Sequence, residues 1–387
     1  MNVLIAPDSY KGSLSSREVA EYMEQGVLEA LPGAQVYKVP IADGGEGTVE
    51  AIISSTRGGY YEADCAGPLG QKVKAIYGIF GEPRTAVIEM ASASGITLLS
   101  KEELNPLLTT TYGTGQLISA ALAQGCRRII IGIGGSATND GGVGMAQALG
   151  IRFLDAQGEE IGYGGGQLKK ISTIEMSGLD KRIAGCEIIA ASDVTNPLCG
   201  TDGASAVFGP QKGATPEMVD ILDEGLAHLS NLIHEQLHTD ISRLAGGGAA
   251  GGLGAGLTAF LGATIERGID IVLKAADFDT LAAEADLVIT GEGRTDRQTA
   301  FGKTPVGVAK RAKQYNKPVI CVSGAVSPEV SSLYELGLDV IIGATQAPMS
   351  LEDAIGNAPA HIRHAVSSAV RAVMLSSTYR MDKRREE

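Results

Sequence analysis

Short apolar runs alternate with helical patterns at both ends of this 387-residue chain. Residues 3–6 are typical of a buried strand, and residues 15–30 repeat apolar side chains with helical spacing, with Ser15 or Ser16 as the cap. The rhythm returns after Ala285, with strand patterns at 286–290, 318–323 and 340–344 and helix patterns at 304–315 and 359–375. Such alternation favours a parallel sheet that is covered by helices.

The middle of the chain is less regular. Residues 73–80 and 85–90 alternate like antiparallel strands, and further patterns predict helices at 114–124 and 216–237 and strands at 127–131 and 187–191. We therefore predict an α/β fold with two domains. One is a Rossmann-like parallel-sheet domain formed by both termini, residues 1–70 plus 286–387. The other is an inserted mixed α/β domain, residues 71–285, which carries a glycine-rich turn. Residues 381–387 are predicted to be a solvated charged tail.

The glycine-rich turn, residues 132–142, has the sequence GIGGSATNDGG and lies between a strand pattern and a helix pattern. Glycines let the backbone approach a phosphate, and unpaired N–H groups at a helix start attract anions. Asn139 and Asp140 lie where a metal-bound phosphate would need oxygen ligands. The turn therefore predicts phosphoryl chemistry.

A dinucleotide site is a rival interpretation of the same turn. Gly132, Gly134 and Ala137 fit the fingerprint GxGxxG/A, and Asp155 closes a later strand-like run at 151–154. Against this interpretation, Asp140 would repel a pyrophosphate unless a cation lay between them. An NAD-dependent enzyme stays open at this point.

Four more loops collect polar residues, three of them directly after predicted strands, where doubly wound sheets bind ligands. Each also has an ordinary explanation as a turn, a cap or a salt-bridged loop. The last loop fails as a P-loop because Arg297 occupies a required glycine position. The loops are 6–13 with Asp8, Lys11 and Ser13, 43–47 with Asp43 and Glu46, 191–213 with Asp193 and Lys212, and 290–304 with Glu292, Arg294, Asp296 and Lys303.

The composition and net charge of the chain argue against some classes of binding partner. The chain has no tryptophan and a net charge of −13, which argue against nucleic acid and anionic membranes. Residues 244–265 carry no charge, but their many glycines favour a closely packed helix over a membrane span. Five scattered cysteines and the lack of a signal peptide pattern predict a cytoplasmic protein with reduced thiols.

Taken together, these loops resemble those of the class I glycerate kinases. The resemblance covers nearly the whole chain in order and rests on the segments APDSYKGSLS, ADGGEGT, GIGGSATNDGGVGMAQALG, ASDVTNPL with FGPQKGA, GGGAAGGLGA and TGEGRTDRQTAFGK. It implies a kinase without a P-loop, with one α/β domain inserted in another and the site in the cleft between them. It also implies ATP-dependent phosphorylation of D-glycerate to 2-phospho-D-glycerate in sugar-acid or glyoxylate catabolism.

Residue roles follow as hypotheses, because phosphoryl transfer needs positioning, charge neutralisation and a modest base. ATP and Mg²⁺ are the expected cofactors, and the oligomeric state stays open. A dehydrogenase of a small hydroxy acid and a non-catalytic anion-binding protein remain alternatives. The assignments are Asp193, Lys11 and Arg294 for catalysis; Gly134, Gly135, Ser136, Asn139 and Lys212 for ATP phosphates; Asp8, Ser13, Asp43, Glu46 and Arg294 for substrate; and Asp296, Asp140 and Glu292 for metal.

Overall fold

The computed structural model describes residues 1–42, 44–301 and 303–386. Contacts divide the chain into two units, one formed by Met1–Asp43 with Ile269–Glu387 and the other by Gly44–Gly268. We call them the terminal unit and the inserted unit. The α/β fold class is confirmed, and each unit has its own sheet and its own hydrophobic core.

The described strands are short, and most of them are buried. In chain order they are β1 (Asn2–Pro7), β2 (Gln35–Lys38), β3 (Gly59–Ala66), β4 (Lys72–Phe80), β5 (Thr85–Glu89), β6 (Arg128–Gly132), β7 (Arg152–Leu154), β8 (Thr173–Glu175), β9 (Glu187–Ala191), β10 (Thr264–Glu266), β11 (Leu287–Gly291), β12 (Arg294–Thr295), β13 (Val319–Ser323), β14 (Ala325–Val326) and β15 (Val340–Gly343).

The described α-helices are joined in places by short 3₁₀ segments. In chain order they are α1 (Ser16–Ala30), α2 (Thr48–Ser55), α3 (Ala91–Ser94), α4 (Tyr112–Ala123), α5 (Val143–Ala148), α6 (Ala204–Phe208), α7 (Pro216–Leu237), α8 (Ala249–Leu261), α9 (Gly268–Ala275), α10 (Phe278–Glu284), α11 (Thr304–Lys313), α12 (Ser332–Glu335), α13 (Leu351–Gly356) and α14 (Ala358–Glu386).

The terminal unit has a parallel sheet in the order β15-β13-β11-β1-β2. The chain moves from β1 to one edge at β2, and later from β11 through β13 to the other edge at β15. The direction of winding therefore reverses between β1 and β11. In open α/β sheets such a reversal opens a crevice at the carboxyl ends of the two strands, where ligands bind.

Helix α1 shows how the sequence positions this sheet. Ser15 is its N-cap, and the Ser15 N–H donates to the Glu18 carboxylate at 2.9 Å, which completes a capping box. The apolar face of α1, including Val19 and Met23, packs in one core with Ile362 and Val366 of α14. Helix α14 continues to Glu386, so most of the predicted charged tail at 381–387 is helical, and its solvation stays a prediction.

The inserted unit has a mixed sheet in the order β10-β9-β6-β5-β4-β3. Strands β10, β9, β6 and β5 run parallel, and β4 pairs antiparallel with both β5 and β3. The boundaries between the units differ from the predicted ones at 70/71 and 285/286. The first difference has a physical cause, because β3 pairs with β4 along its whole length and thereby joins the inserted sheet. The predicted division into folding domains stays a prediction.

The uncharged segment at 244–265 forms α8 and its approach. A Cβ at Gly251 would lie 2.0 Å from the carbonyl oxygen of Thr138, and one at Gly256 would lie 2.3 Å from that of Gly141. The prediction of close packing is therefore confirmed, since only a residue without a Cβ allows such contacts. Across the described residues, no helix combines the length and the apolar character that a bilayer crossing needs.

Candidate active site

A cavity of about 480 Å³ opens in the terminal unit at the carboxyl ends of β1 and β11, where the winding of the sheet reverses. The loop after β1 and the loop after β11 give it a charged wall. Helices α13 and α14 and the end of β15 give it an apolar wall. The charged wall consists of Asp8, Lys11, Glu292, Arg294, Asp296 and Lys303, and the apolar wall of Ala344, Leu351, Ala354, Ile355, Ala358 and Ile362.

The loop after β1 is held in place by hydrogen bonds. The Asp8 carboxylate is 8% exposed and accepts from the N–H of Ser9 at 2.7 Å and the hydroxyl of Thr304 at 2.8 Å. The buried Tyr10 hydroxyl donates to the carbonyl of Val322 at 2.8 Å. These bonds anchor the loop to the sheet and leave the neighbouring Lys11 side chain exposed.

Glu292 is a buried carboxylate on the loop after β11, and only 6% of it is exposed. Its Oε1 accepts hydrogen bonds from the hydroxyls of Thr299 at 2.7 Å and Thr295 at 3.0 Å. Burial raises the pKa of Glu292 to about 7, while the Thr299 bond and the charge of Lys303 act in the opposite direction. Glu292 therefore exchanges a proton near neutral pH, as a general base does.

The cations of the charged wall are accessible to solvent. The Arg294 side chain is 71% exposed, and its Nε lies 3.6 Å from Oδ2 of Asp296. Exposed ion pairs of this kind contribute little to stability, so a ligand anion can compete for the guanidinium. With Lys11 and Lys303 the wall presents three cations beside three carboxylates. This mixture suits an anionic ligand that brings its own cation.

The apolar wall was missed by sequence reasoning. Leu351 is 77% exposed and Ile355 is 38% exposed, although both are large apolar residues that line the cavity. They are four residues apart on α13 and so lie on one helical face. This i, i+4 apolar pair is the signal that could have found them. His361, predicted to lie on a helix surface, also lines the cavity.

The glycine-rich turn lies in the inserted unit between β6 and α5, and Asp140 occupies its centre. The Asp140 carboxylate is 1% exposed and accepts from the backbone N–H groups of Thr111, Gly142 and Gly144 at 2.8, 3.2 and 3.3 Å. The Thr111 hydroxyl also bonds Asp140 and accepts from the N–H of Met145. The prediction of open N–H groups at this helix start is therefore wrong, because Asp140 and Thr111 use them. The structure gives no support to Asp140 as a metal ligand.

Most of the predicted phosphate ligands on this turn are buried. Ser136 is 7% exposed and Asn139 is 0% exposed, and the Asn139 amide donates to the hydroxyl of Ser205 at 3.0 Å. Gly134 is partly exposed and Gly135 is exposed. A nucleotide could approach the turn only at these two glycines, so the phosphate-binding role of the turn stays a prediction.

Lys212 is also buried, at 1% exposed, and its Nζ donates to the carbonyl of Thr138 at 2.7 Å. Burial lowers the pKa of Lys212 to about 7, and the charge of Asp140 opposes the shift. The side chain lies beneath the turn and supports its backbone from inside. The structure gives no support to Lys212 as a phosphate ligand.

The remaining predicted residues are divided between the units. Asp193 follows β9 in the inserted unit, and its Oδ1 lies 3.8 Å from Nε of Arg267. Glu46 is exposed in the same unit, and Asp43 lies outside the described residues. The roles of these residues stay predictions. Six predicted residues line the cavity of the terminal unit: Asp8, Lys11, Ser13, Glu292, Arg294 and Asp296.

The dinucleotide alternative required a parallel strand after α5. Instead β7 (Arg152–Leu154) pairs antiparallel with β8 in a separate small sheet. The turn at 132–142 is therefore not part of a Rossmann βαβ unit, and Asp155 is not at the end of its second strand.

Comparison with known proteins decides the family. The profile of the Glycerate kinase family matches residues 3–374. This chain belongs to the glycerate kinase family. It is 50% identical over 378 residues to the glycerate kinase of Bacillus subtilis (strain 168), covering 98% of this chain and 99% of that one. It is 51% identical over 358 residues to the glycerate 2-kinase of Escherichia coli (strain K12), covering 92% and 94%.

A solved structure agrees with this family assignment. A crystal structure from Salmonella typhimurium LT2, which carries the provisional name glycerate kinase 2, aligns with a TM-score of 0.88 and 52% identity over 98% of this chain and 99% of that one. The resemblance to glycerate kinases inferred from the six sequence segments is confirmed. The cavity therefore belongs to a member of a kinase family, and kinases catalyse phosphoryl transfer.

Proposed function

We propose that the protein transfers the γ-phosphoryl group of ATP to D-glycerate and forms 2-phospho-D-glycerate, in sugar-acid or glyoxylate catabolism. The observation that carries the proposal is the cavity at the sheet reversal, whose charged wall combines three cations with three carboxylates. The family and the 51% identity to a glycerate 2-kinase support the same reaction. A cytoplasmic location is part of the proposal, and it fits cysteines that are all free.

The charged wall supplies what phosphoryl transfer requires of a protein. The transition state is loose, so catalysis comes mainly from positioning and from neutralising charge on the phosphoryl oxygens. Lys11 and Arg294 bind the glycerate carboxylate and the transferred group in this proposal, and Lys303 adds a third positive charge. Asp8 is held rigidly by Thr304 and orients a glycerate hydroxyl, with Ser13 beside it.

A magnesium ion is implied by kinase chemistry, and the donor set limits how it is held. Within the described residues, no cluster of three His, Cys, Asp or Glu side chains forms a metal cage. Mg²⁺ normally takes one or two carboxylates together with substrate phosphates, and it bridges and neutralises those phosphates. Asp296 fits this requirement better than Glu292, because its side chain is 28% exposed, whereas Glu292 is buried and its Oε1 already accepts from Thr295 and Thr299.

The reaction also needs a group that accepts the proton of the glycerate hydroxyl. We propose Asp193, which follows β9 of the inserted unit and lies near Arg267. Glu292 is the second candidate, because burial brings its pKa close to the pH at which a base works best.

An assay of ADP release with D-glycerate, together with NMR identification of the product, tests the function. We expect ADP formation that depends on both glycerate and Mg²⁺, and a phosphate on the 2-hydroxyl. A 3-phosphate product would correct the regiochemistry. Tight NADH binding without ADP formation would contradict the proposal and favour a dehydrogenase.

A further inference from the structure

The cavity of the terminal unit is larger and more apolar than glycerate requires. Glycerate has three carbons, a carboxylate and two hydroxyls, and so it has no apolar surface to offer Leu351 or Ile355. At about 480 Å³, the cavity falls in the range of sites that hold drug-sized ligands. Its apolar wall therefore suits another ligand, or another part of one, better than it suits glycerate.

The two walls match the two halves of a nucleotide. The charged wall with Lys11, Arg294 and Lys303 suits a polyphosphate, and the apolar wall suits a flat base. We propose that the base of ATP binds against α13 in the terminal unit, on Leu351, Ala354 and Ile355. This inference rests on the proposed function for the identity of the nucleotide, and it assigns the base to the terminal unit, whereas the glycine-rich turn belongs to the inserted unit.

Burial differs along the apolar wall in a way that fits a ligand surface. Ala344, Ala358 and Ile362 are 2%, 7% and 0% exposed, so they form the fixed floor of the wall. Leu351 and Ile355, at 77% and 38%, stand above this floor. Covering exposed apolar side chains is favourable, so Leu351 and Ile355 would contribute binding energy to a ligand that has an apolar surface.

The apolar wall is also tied to the charged wall. The Ser13 hydroxyl of the loop after β1 lies 3.4 Å from the carbonyl of Ile355, to which it donates. The Thr345 hydroxyl after β15 donates to the carbonyl of Gly324 after β13 at 2.7 Å, and both residues line the cavity between the walls. A ligand that bridges the walls therefore meets two surfaces that already hold each other in position.

The test compares nucleotide binding with binding of the phosphate part alone, without glycerate. Leu351→Asp is the main variant, since an exposed position can accept a charge without unfolding the protein. We expect calorimetry to show ATP binding weakened by about tenfold or more, with tripolyphosphate binding changed less than about twofold. Leu28→Asp is the control, because Leu28 is 38% exposed on α1 and does not line the cavity.

A second variant, Ala354→Phe, fills the apolar wall instead of charging it and should give the same selective loss. Equal weakening of ATP and tripolyphosphate, or unchanged ATP binding in both variants, would overturn the inference. Weakened binding of glycerate with unchanged ATP affinity would also overturn it and make the cavity an acceptor site. These binding measurements involve no turnover. A wild-type protein that releases no ADP would therefore refute the proposed function, and the effect of Leu351→Asp on ATP binding would still test where the base binds.

Discussion

The glycine-rich turn of the inserted unit and the charged loops of the terminal unit both follow buried parallel strands, yet their polar groups are used differently. In the turn, the Asp140 carboxylate accepts hydrogen bonds from backbone N–H groups of its own unit. In the charged loops, Lys11 and Arg294 remain open to solvent at a cavity. A glycine-rich sequence therefore indicates close backbone approach, and the approaching group can be the protein's own chain.

The largest effect on this comparison should come from removing the proposed base, Asp193, from the inserted unit. A general base contributes about 10² to 10⁴ in rate, so Asp193→Asn should lower kcat by that range and change the KM for ATP little. Steady-state kinetics check this, with Glu292→Gln assayed in parallel. A loss below about threefold in Asp193→Asn, with a large loss in Glu292→Gln, would move the base to the terminal unit.

The packing role of the turn gives the next largest effect. Gly251 has φ +66° and no room for a Cβ beside Thr138, whereas Gly262 has φ +68° and no atom within 4 Å of a Cβ. Gly262→Ala should cost about 1 kcal/mol from backbone strain alone. Gly251→Ala should cost about 3 kcal/mol or more, because the clash adds to the same strain. Urea denaturation measures both, and equal losses would show that the turn tolerates displacement.

The sequence was sufficient for the fold class, the strand–helix rhythm and both ends of α7, because these depend on local periodicity and caps. It could not place β3, whose pairing with β4 is a tertiary choice. At the site, the residues after β1 and β11 line one cavity, since parallel strands end at one edge, and their binding roles stay predictions. Burial of Lys212 and Asp140 could not be predicted, because it depends on contacts between distant parts of the chain. Gly251 packs on the backbone of Thr138, and Lys212 bonds the same backbone from a position 74 residues later.

Arg294 tests the role of the solvent-exposed charges in the terminal unit, and its replacement should have a smaller effect. Arg294→Ala should raise the KM for glycerate about tenfold, the loss of roughly 1.4 kcal/mol of charge-assisted binding, with a smaller change in kcat. Arg297→Ala is a matched control, since Arg297 is 80% exposed on the same loop, pairs with Glu329 at 3.7 Å and does not line the cavity. If the KM for ATP rises instead, Arg294 binds the phosphates.

Lys212, the buried lysine beneath the turn, tests the closed side of the comparison. Its folded-state pKa of about 7 lies below the ordinary value of 10.5, so between these pH values the unfolded chain binds a proton that the folded chain does not. The free energy of unfolding of the wild type should therefore rise from about pH 7 to about pH 9 relative to Lys212→Met, and the difference should be flat below about pH 6. Denaturant titrations at several pH values measure it. A difference that stays constant with pH would mean that Lys212 remains charged and is held by Asp140, and the turn would then contain a buried ion pair where the terminal unit keeps its charges open.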